Sequence, residues 1–503
     1  MLNPLPAAKW DRAKAAHLLN RAGFGGSPAE IDSLLKSGLA TAVRNLVDGP
    51  AIPVVALPPP WARPQDLQAR RESMQDLAAL GADPAMRKQL EQQFRKDFRR
   101  SEVGEIRDLG IWWLQRMRTS PDPLQEKLTL FWHGHFATSV QKVRDAYYMW
   151  LQNDTLRRHA RGNFGAMVKA ISRDPAMIIW LDLRDSRPAH PNENFARELM
   201  ELFTLGEGHY GEADIMAAAR AFTGYRLDPH NQTFRYAPRE ADLGEKTIFG
   251  QTGPFNGDAV IDLILQKPEC SKLLAKKLWE FFAYENPQPE LVARLSEVIR
   301  VCNFDLRPAL MKMFLSEEFY SDRAIRTQIK SPVQWMVQNA RIFETELPPA
   351  YVMYFTMRQL GQIVFNPPSV KGWDGGKAWI STSTLLARYN LAGVLVESNT
   401  QPLLNGIQNS VRDLGFESMN DSASGARPGA APIDVARIAP PALRADPAKL
   451  VDALSLRLFQ VVLADRSREA FLEFLQSKGQ PPDDEAVRGL LHLMMSTPQF
   501  QLC

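Results

Sequence analysis

Apolar residues recur every three or four positions along most of the chain, and this helical period restricts the fold more than any other feature. Ala15, Leu18, Leu19 and Ala22 form one such stripe, which Gly23 ends. No strong run of alternating apolar and polar residues, the pattern of a half-buried strand, accompanies these stripes. The sequence therefore predicts an all-α fold, one large multi-helix domain with irregular loop insertions and at most a minor β-hairpin.

Local signals also predict where individual helices begin. Ser27 has the chemistry of an N-cap, Pro28 suits the first helical position, and Glu30 completes the spacing of a capping box.

Changes in composition divide the chain into segments. We expect a helical pair at 1–50, a proline-rich loop and charged helices at 51–120, a helical core at 121–417, a flexible Ala/Pro-rich linker at 418–448, and C-terminal helices packed on the core at 449–503.

Composition excludes several classes of protein. The 503 residues carry 60 Lys and Arg against 57 Asp and Glu, so the net charge of +3 gives no reason to expect a nucleic acid or an anionic membrane as a partner. Three cysteines without CxxC spacing argue against a disulfide framework or a cysteine-rich zinc site. The chain shows no evident secretory signal and no apolar run of membrane-spanning length, so the sequence as given predicts a soluble, cytoplasmic protein.

The first candidate site is the sequence FWHGHF at 131–136. His133 and His135 would point about 200° apart on an ideal helix, so they share a metal only if the helix breaks or the segment is extended, and Gly134 is where a break costs least. Imidazole is a common metal ligand and general base. The segment therefore indicates either a ligand pair or a catalytic histidine, and the alternative is a buried histidine satisfied by a backbone carbonyl.

The second candidate site is the sequence PNENFARELMELFTLG at 191–206. Asn194, Arg197, Glu198 and Glu201 fall on the polar face of the predicted helix, and Glu201 is within reach of both Glu198 and Arg197. If this face is covered, the cluster suits metal coordination or acid–base catalysis. If it is solvated, the segment is an ordinary amphipathic helix.

A third segment, NPPSVKGWDGGKAWIS at 366–381, places Trp373, Asp374, Lys377 and Trp379 on an irregular Pro/Gly framework. Ordered loops of this kind often carry binding groups. The segment indicates a ligand-contacting loop, and the alternative is tryptophan packing over a helix layer.

Several long motifs, in this order, resemble the bacterial domain-of-unknown-function family 1800. They are LTLFWHGHFATS (128–139), PNENFARELMELFTLGEGHY (191–210), DIMAAARAFTGY (214–225), GEKTIFGQTGPFNGDAVIDLIL (244–265), AKKLWEFF (275–282), VFNPPSVKGWDGGKAWISTSTLLAR (364–388) and LLHLMMSTPQFQ (490–501). The resemblance implies a helical protein without an established activity. It also implies a periplasmic or exported location, and a partner hydrolase of domain-of-unknown-function family 1501.

The resemblance strengthens the site interpretation of the residues that fall inside its motifs, without assigning their roles. In one place the chain departs from the family pattern, because Ala241 precedes Asp242 where a histidine is expected. If that histidine is a ligand in relatives, its loss bears on activity or on metal affinity.

Two hypotheses of function follow. The first is a metal-dependent enzyme, with hydrolysis favoured and oxidative chemistry as an alternative, whose divalent metal is of unknown identity. Its predicted residues are His133, Arg197 and Glu198 in catalysis, Asn192, Asn194, Trp373 and Lys377 in substrate binding, and His133, His135, Glu198 and Glu201 as metal ligands. The second is a non-enzymatic helical scaffold or an accessory protein for a partner hydrolase, in which the polar clusters are buried structural networks.

Overall fold

The computed structural model describes residues 2–50, 57–64, 72, 84–228, 232–397, 433–461 and 463–503. Helices predominate in these ranges, and the strands form two small antiparallel two-stranded sheets. The predicted all-α class is therefore confirmed, with a second hairpin beside the one that was expected.

The helices before the hairpins include the two that carry the first candidate motifs. They are α1 (Arg12–Ala22), α2 (Pro28–Ser37), α3 (Leu39–Asp48), α4 (Pro84–Thr119), α5 (Pro123–His135), α6 (Val140–Val143), α7 (Ala146–His159), α8 (Phe164–Ser172), α9 (Pro175–Trp180), α10 (Asn194–Glu198) and α11 (Glu212–Ala221). Strands β1 (Tyr225–Leu227) and β2 (Phe234–Tyr236) then pair, as do β3 (Lys246–Ile248) and β4 (Gln251–Gly253).

The chain returns to helices after β4. They are α12 (Gly257–Gln266), α13 (Pro268–Phe282), α14 (Pro289–Val301), α15 (Leu306–Phe314), α16 (Pro332–Ile342), α17 (Ala350–Leu360), α18 (Thr382–Glu397), α19 (Val435–Ile438), α20 (Pro441–Arg444), α21 (Pro447–Leu458), α22 (Asp465–Gln476) and α23 (Asp484–Met495). Short 3-10 turns occur at Ala7–Lys9, Leu183–Asp185, Pro238–Glu240, Glu317–Tyr320, Gly376–Trp379 and Pro498–Gln501.

Helix α2 begins with the predicted capping box. The Ser27 hydroxyl accepts from the Glu30 amide, and the Glu30 carboxylate accepts from the Ser27 amide, which satisfies two donors at the helix start. Helix α5 begins in a related way, since the Asp122 carboxylate accepts from the Gln125 amide and Pro123 occupies the first turn. These starts depend on residues only three apart, which is why the sequence predicts them.

Two large clusters of buried apolar side chains form most of the core, and α5 contributes to both of them. Phe131 and Trp132 belong to the cluster built largely from α1, α3 and the helices between α7 and α15, whereas Leu130 belongs to the cluster of α4, α16 to α18 and the C-terminal helices. Because α5 lies between the two clusters, nearly all of its side chains are buried. Polar groups on this helix are therefore held in a largely dry environment.

The structure describes only part of the segment predicted as a flexible linker at 418–448. Residues 418–432 lie outside the described residues, but 433–448 contain α19 and α20. Ile433, Val435 and Ile438 are buried, and α19 packs against α23. The composition of the segment is typical of a linker, and these three apolar side chains belong to one of the buried clusters of the core.

Within the ranges that the structure describes, every helix is too short or too polar to cross a lipid bilayer. The longest of them, α4, contains charged residues along its whole length.

Candidate functional site

Helices α5, α13 and α16 and the loop at 366–379 enclose a cleft of about 460 Å³. Lys127, Phe131 and His135 face it from α5, where their spacing of four residues places them on one side of the helix. Its polar lining residues from the other segments are Lys277, Glu280, Glu285, Asn286, Gln328, Ser331, Gln334, Gln362, Asp374 and Cys503. The cleft is large enough for a small molecule and combines apolar walls with charged groups.

His135 is buried at the wall of this cleft, and both of its ring nitrogens are engaged. Nε2 donates to the Phe203 carbonyl oxygen at 3.0 Å, because a carbonyl can only accept. Nδ1 is then the acceptor for the Lys277 ammonium group, whose Nζ lies 3.2 Å away. Burial, followed by the neighbouring Lys277 charge, holds the pKa of His135 well below its usual value, so the ring is neutral.

Lys277 joins the cleft to the end of the second candidate motif. Its Nζ also donates to the Leu202 carbonyl oxygen at 2.8 Å. Burial lowers its pKa to about 8, while the nearby Glu280 carboxylate raises it. An amine whose pKa lies this close to neutrality can donate or accept a proton under physiological conditions.

The carbonyl groups that meet Lys277 and His135 belong to an irregular helical turn. The predicted helix of PNENFARELMELFTLG is α-helical only over Asn194–Glu198 and continues as a π-helix over Leu199–Thr204. Carbonyl groups at a helix end lack intrahelical donors, and a cation there also complements the helix dipole. Irregular turns of this kind frequently occur at functional sites.

His133 points to a different part of the molecule. Helix α5 continues through Gly134, so the two histidines project in different directions and contact different partners. Nε2 of His133 accepts from the Phe365 amide at 2.9 Å, and the ring packs against Trp113 and Trp373. Burial lowers the pKa of His133 to about 3. His133 is thus a buried histidine that accepts from a backbone amide, whereas the sequence alternative named a backbone carbonyl as the partner.

The two glutamates of the second motif lie together, beside the loop at 366–379. Glu201 accepts from the Tyr210 hydroxyl at 2.9 Å. Burial raises the pKa of Glu198 first and the charge of Glu201 raises it further, whereas Lys371 and Arg197 act in the opposite direction. The pair therefore forms a half-buried acidic group near a loop lysine.

Arg197 forms its ion pairs with acidic residues other than Glu201. It donates to Glu212 at 2.7 Å and to Glu193 at 3.1 Å, and these bonds raise its pKa. Asn192 accepts from the Asn194 amide at 2.9 Å, and the Asn194 side chain donates to Asp182 at 3.3 Å. Neither asparagine lines the cleft, and their bonds order the start of α10.

The described residues contain no group of three or more His, Cys, Asp or Glu side chains that could hold a metal ion. The four predicted ligands therefore do not assemble into such a group, since all four lie in the part of the chain that the structure describes. A site for a divalent metal stays a prediction of the sequence.

The loop at 366–379 forms one wall of the cleft. Trp373 lines the cleft, and its ring centroid lies 5.6 Å from that of His133. Gly372 has φ +82°, and a β-carbon there would collide with the Gly134 carbonyl oxygen. This close approach explains why a glycine precedes the tryptophan. Lys377 is exposed and is not among the lining residues, so the structure places only Trp373 of this predicted pair in the cleft.

The position of the expected histidine lies away from the cleft lining. A β-carbon on Gly224 would come within 2.8 Å of the Ala241 β-carbon, so residue 241 is held close to the end of α11. Asp242 accepts from Arg220 at 2.7 Å, and its amide donates to the Thr223 hydroxyl. Residue 241 therefore lies beside the hairpins and away from the residues that line the cleft.

Sequence patterns missed several residues that line this cleft. Lys127 was overlooked although it precedes Phe131 and His135 at intervals of four, a signal that it shares their helix face. Lys277 and Glu280 lie in the motif AKKLWEFF, but nothing local indicates that Lys277 would meet a histidine 142 positions away. Such a contact depends on how α5 and α13 pack.

The fold and the cleft together define a class of protein, a large helical domain with a small-molecule-sized site between its helices. A family model described as "Protein of unknown function (DUF1800)" matches residues 17–502, and the chain therefore belongs to this family. No curated protein and no solved structure matches the chain. The predicted family is confirmed, and its description names no activity.

Proposed function

We propose that the cleft is the active site of an enzyme, with hydrolysis as the favoured reaction. The hydrogen bond between Lys277 Nζ and His135 Nδ1, 3.2 Å long at the cleft wall, carries this proposal. The neutral imidazole and the Phe203 carbonyl behind it keep Lys277 in place. Lys277 is a positioned group with a pKa near neutrality, which is what general acid–base catalysis requires.

Hydrolysis suits the other groups in the cleft. Glu280 lies one helical turn beyond Lys277, and Glu285 and Asp374 line the same space. A carboxylate there would accept a proton from the attacking water, while the Lys277 ammonium would donate one to the leaving group. His135 acts as a positioning residue, because it orients Lys277 by accepting its hydrogen bond.

The proposal is tested with chromogenic p-nitrophenyl acetate and p-nitrophenyl phosphate. We expect Lys277→Met to lower hydrolysis about 100-fold or more, in line with the loss of a general acid, and His135→Gln to lower it less and to shift its pH profile. Lys312→Met, an exposed lysine on α15, is the matched control. Equal rates in the wild type, Lys277→Met and the control would show that the cleft does not catalyse the reaction.

The metal-dependent form of this enzyme stays a separate proposal with its own test. It requires a divalent ion at His133, His135, Glu198 and Glu201, with Arg197 as a further catalytic group. Elemental analysis of the purified protein, before and after exposure to a chelator, measures whether such an ion is held. Stoichiometric metal that disappears in Glu198→Gln would favour this proposal over the metal-free lysine site.

The alternative proposal is a non-enzymatic scaffold or an accessory protein for a partner hydrolase of domain-of-unknown-function family 1501. One buried network supports it. Glu126 is fully buried on α5 and accepts from Arg157 at 2.9 Å, from Arg116 at 2.6 Å and from Trp113 at 2.9 Å. Such networks hold a core in one arrangement without performing chemistry. Absence of hydrolysis, together with co-elution of the partner hydrolase, would favour this role.

A further inference from the structure

Lys127 is the most deeply placed charged group in the lining of the cleft. Its side chain is 7% exposed, and its ammonium group donates to the Gln334 side-chain oxygen. The rings of Phe24 and Phe281 lie 4.9 and 5.6 Å from Nζ. No carboxylate of the described residues lies within 4 Å of this ammonium group, although Lys127 is buried as deeply as an apolar core residue.

Two further buried cations, Arg21 and Lys330, contact or adjoin residues of the cleft lining without lining the cleft themselves. Arg21 is 1% exposed and donates to the Phe282 carbonyl oxygen at 2.9 Å and to the side chain of Gln328, a residue of the cleft lining. Lys330 is 2% exposed and places Nζ 3.9 Å from the Phe500 ring centroid. Neither has an ion-pair partner among the described residues. Burying cations without counter-charges is costly, so this region favours an anion supplied from outside.

We infer that the deep end of the cleft binds an oxyanion, a carboxylate or phosphate group of the substrate, through the Lys127 ammonium group, which the Gln334 side-chain oxygen holds in place. The inference rests on the proposed function, and it names the chemical class of the substrate. Phe281 links the two parts of the site, since it packs 5.1 Å from Phe131, whose ring in turn lies 6.0 Å from that of His135. A ligand held at Lys127 would therefore extend along these rings toward His135.

Charge is distributed unevenly along the cleft. Lys127 is buried, whereas Glu285 and Asp374 are exposed. Acids at the rim repel an oxyanion and leave the buried Lys127 as a favourable position for it. The arrangement therefore suits a ligand that carries its negative charge at one end and a neutral or cationic group at the other.

Protonation of Lys127 couples oxyanion binding to pH. Burial lowers the pKa of Lys127 to about 7, with the Cys503 thiol raising it and the Arg21 charge lowering it further. Only the ammonium form attracts an anion, so affinity should fall up to about tenfold per pH unit above this pKa. Lys277, His135, Glu280, Glu285, Asp374 and Cys503 are the other titratable groups that line the cleft.

The test uses inorganic phosphate and, separately, succinate as probes, with isothermal titration calorimetry on the full chain at constant ionic strength. We expect saturable binding of at least one probe, weakened about tenfold or more in Lys127→Met and retained within a few-fold in Lys127→Arg. Lys312→Met, on the exposed side of α15, is expected to bind as the wild type does. Binding of phosphate alone would indicate a phosphate ligand, and binding of succinate alone would indicate a carboxylate ligand.

Two results would overturn the inference: no saturable binding of either probe, or equal affinity in the wild type and Lys127→Met. If Lys127→Met does not fold, the pH dependence of wild-type binding tests the inference instead. An affinity that is constant from pH 6 to pH 9 contradicts binding by an ammonium group. His135→Gln separates this inference from the proposed function. It should retain phosphate or succinate binding while hydrolysis falls, so either proposal can fail without the other.

Discussion

Lys277 donates a hydrogen bond to His135 at a distance of 3.2 Å, and through it α13 is joined to α5 at the wall of the cleft. The two side chains also meet neighbouring carbonyl groups of one π-helical turn, those of Leu202 and Phe203. A single contact thus connects three of the family motifs, which lie far apart in the sequence.

The pKa of Lys277 should respond to its neighbour Glu280. Burial holds this pKa at about 8 and the Glu280 charge raises it, so we expect Glu280→Gln to lower the pKa further. Titration of the protein labelled with ¹³C at the lysine ε-carbon, followed by NMR, measures the shift, and Lys277→Arg assigns the resonance. Glu290→Gln, an exposed change on α14, should leave it unchanged. A Lys277 pKa near 10.4 would contradict the burial argument.

Loss of the His133 side chain should reduce stability without releasing a metal. His133→Ala removes a buried ring and the acceptor of the Phe365 amide, at a cost on the order of 3 kcal/mol in the free energy of unfolding. Urea unfolding measures the cost, and elemental analysis of both proteins measures the metal. His209→Ala, at an exposed histidine, is the control. Loss of a stoichiometric metal with unchanged stability would instead support the predicted ligand role.

Stability should fall as the pH is lowered through 6.5. His17, His133 and His135 have lowered pKa values in the folded protein, mainly because of burial, so below 6.5 the unfolded chain binds protons that the folded chain does not. Each such proton changes the free energy of unfolding by about 1.4 kcal/mol per pH unit. Urea unfolding at several pH values between 4.5 and 7.5 checks the sign.

Asp174 should oppose this trend. Burial raises its pKa to about 7, so its contribution to stability is present at low pH and is lost as the pH rises toward 7. Asp174→Asn should therefore steepen the dependence of stability on pH between 4.5 and 6.5. A slope that stays the same in this variant would mean that Asp174 titrates normally.

Glycines 134 and 372 should respond oppositely to alanine. A β-carbon on Gly134 meets nothing within 4 Å, and the residue is helical, so Gly134→Ala should stabilise the protein by about 0.5–1 kcal/mol. Gly372→Ala should destabilise it by about 1–3 kcal/mol, because it combines positive φ with a collision against the Gly134 carbonyl oxygen. Thermal unfolding measures both changes. Tolerance of Gly372→Ala would contradict the described contact of this loop with α5.

Much of the fold could be predicted from short-range patterns. The Ser27–Glu30 capping box and the start of α5 at Asp122 depend on residues three apart, and both are present. The π-helical turn at Leu199–Thr204 could not be predicted in this way, because the same residues also fit the period of an α-helix.

The candidate site likewise has features that local sequence predicts and features that only tertiary packing decides. Local sequence predicted that the two histidines of FWHGHF face different ways on a continuous helix and left a break at Gly134 open, and the structure shows the helix continuing to His135. Their partners were decided by tertiary packing. His135 meets a carbonyl group 68 positions away and His133 an amide 232 positions away. Helical period and capping act over a few residues, whereas burial and pairing of a polar group depend on which helices pack together, and this packing is settled only when the whole core forms.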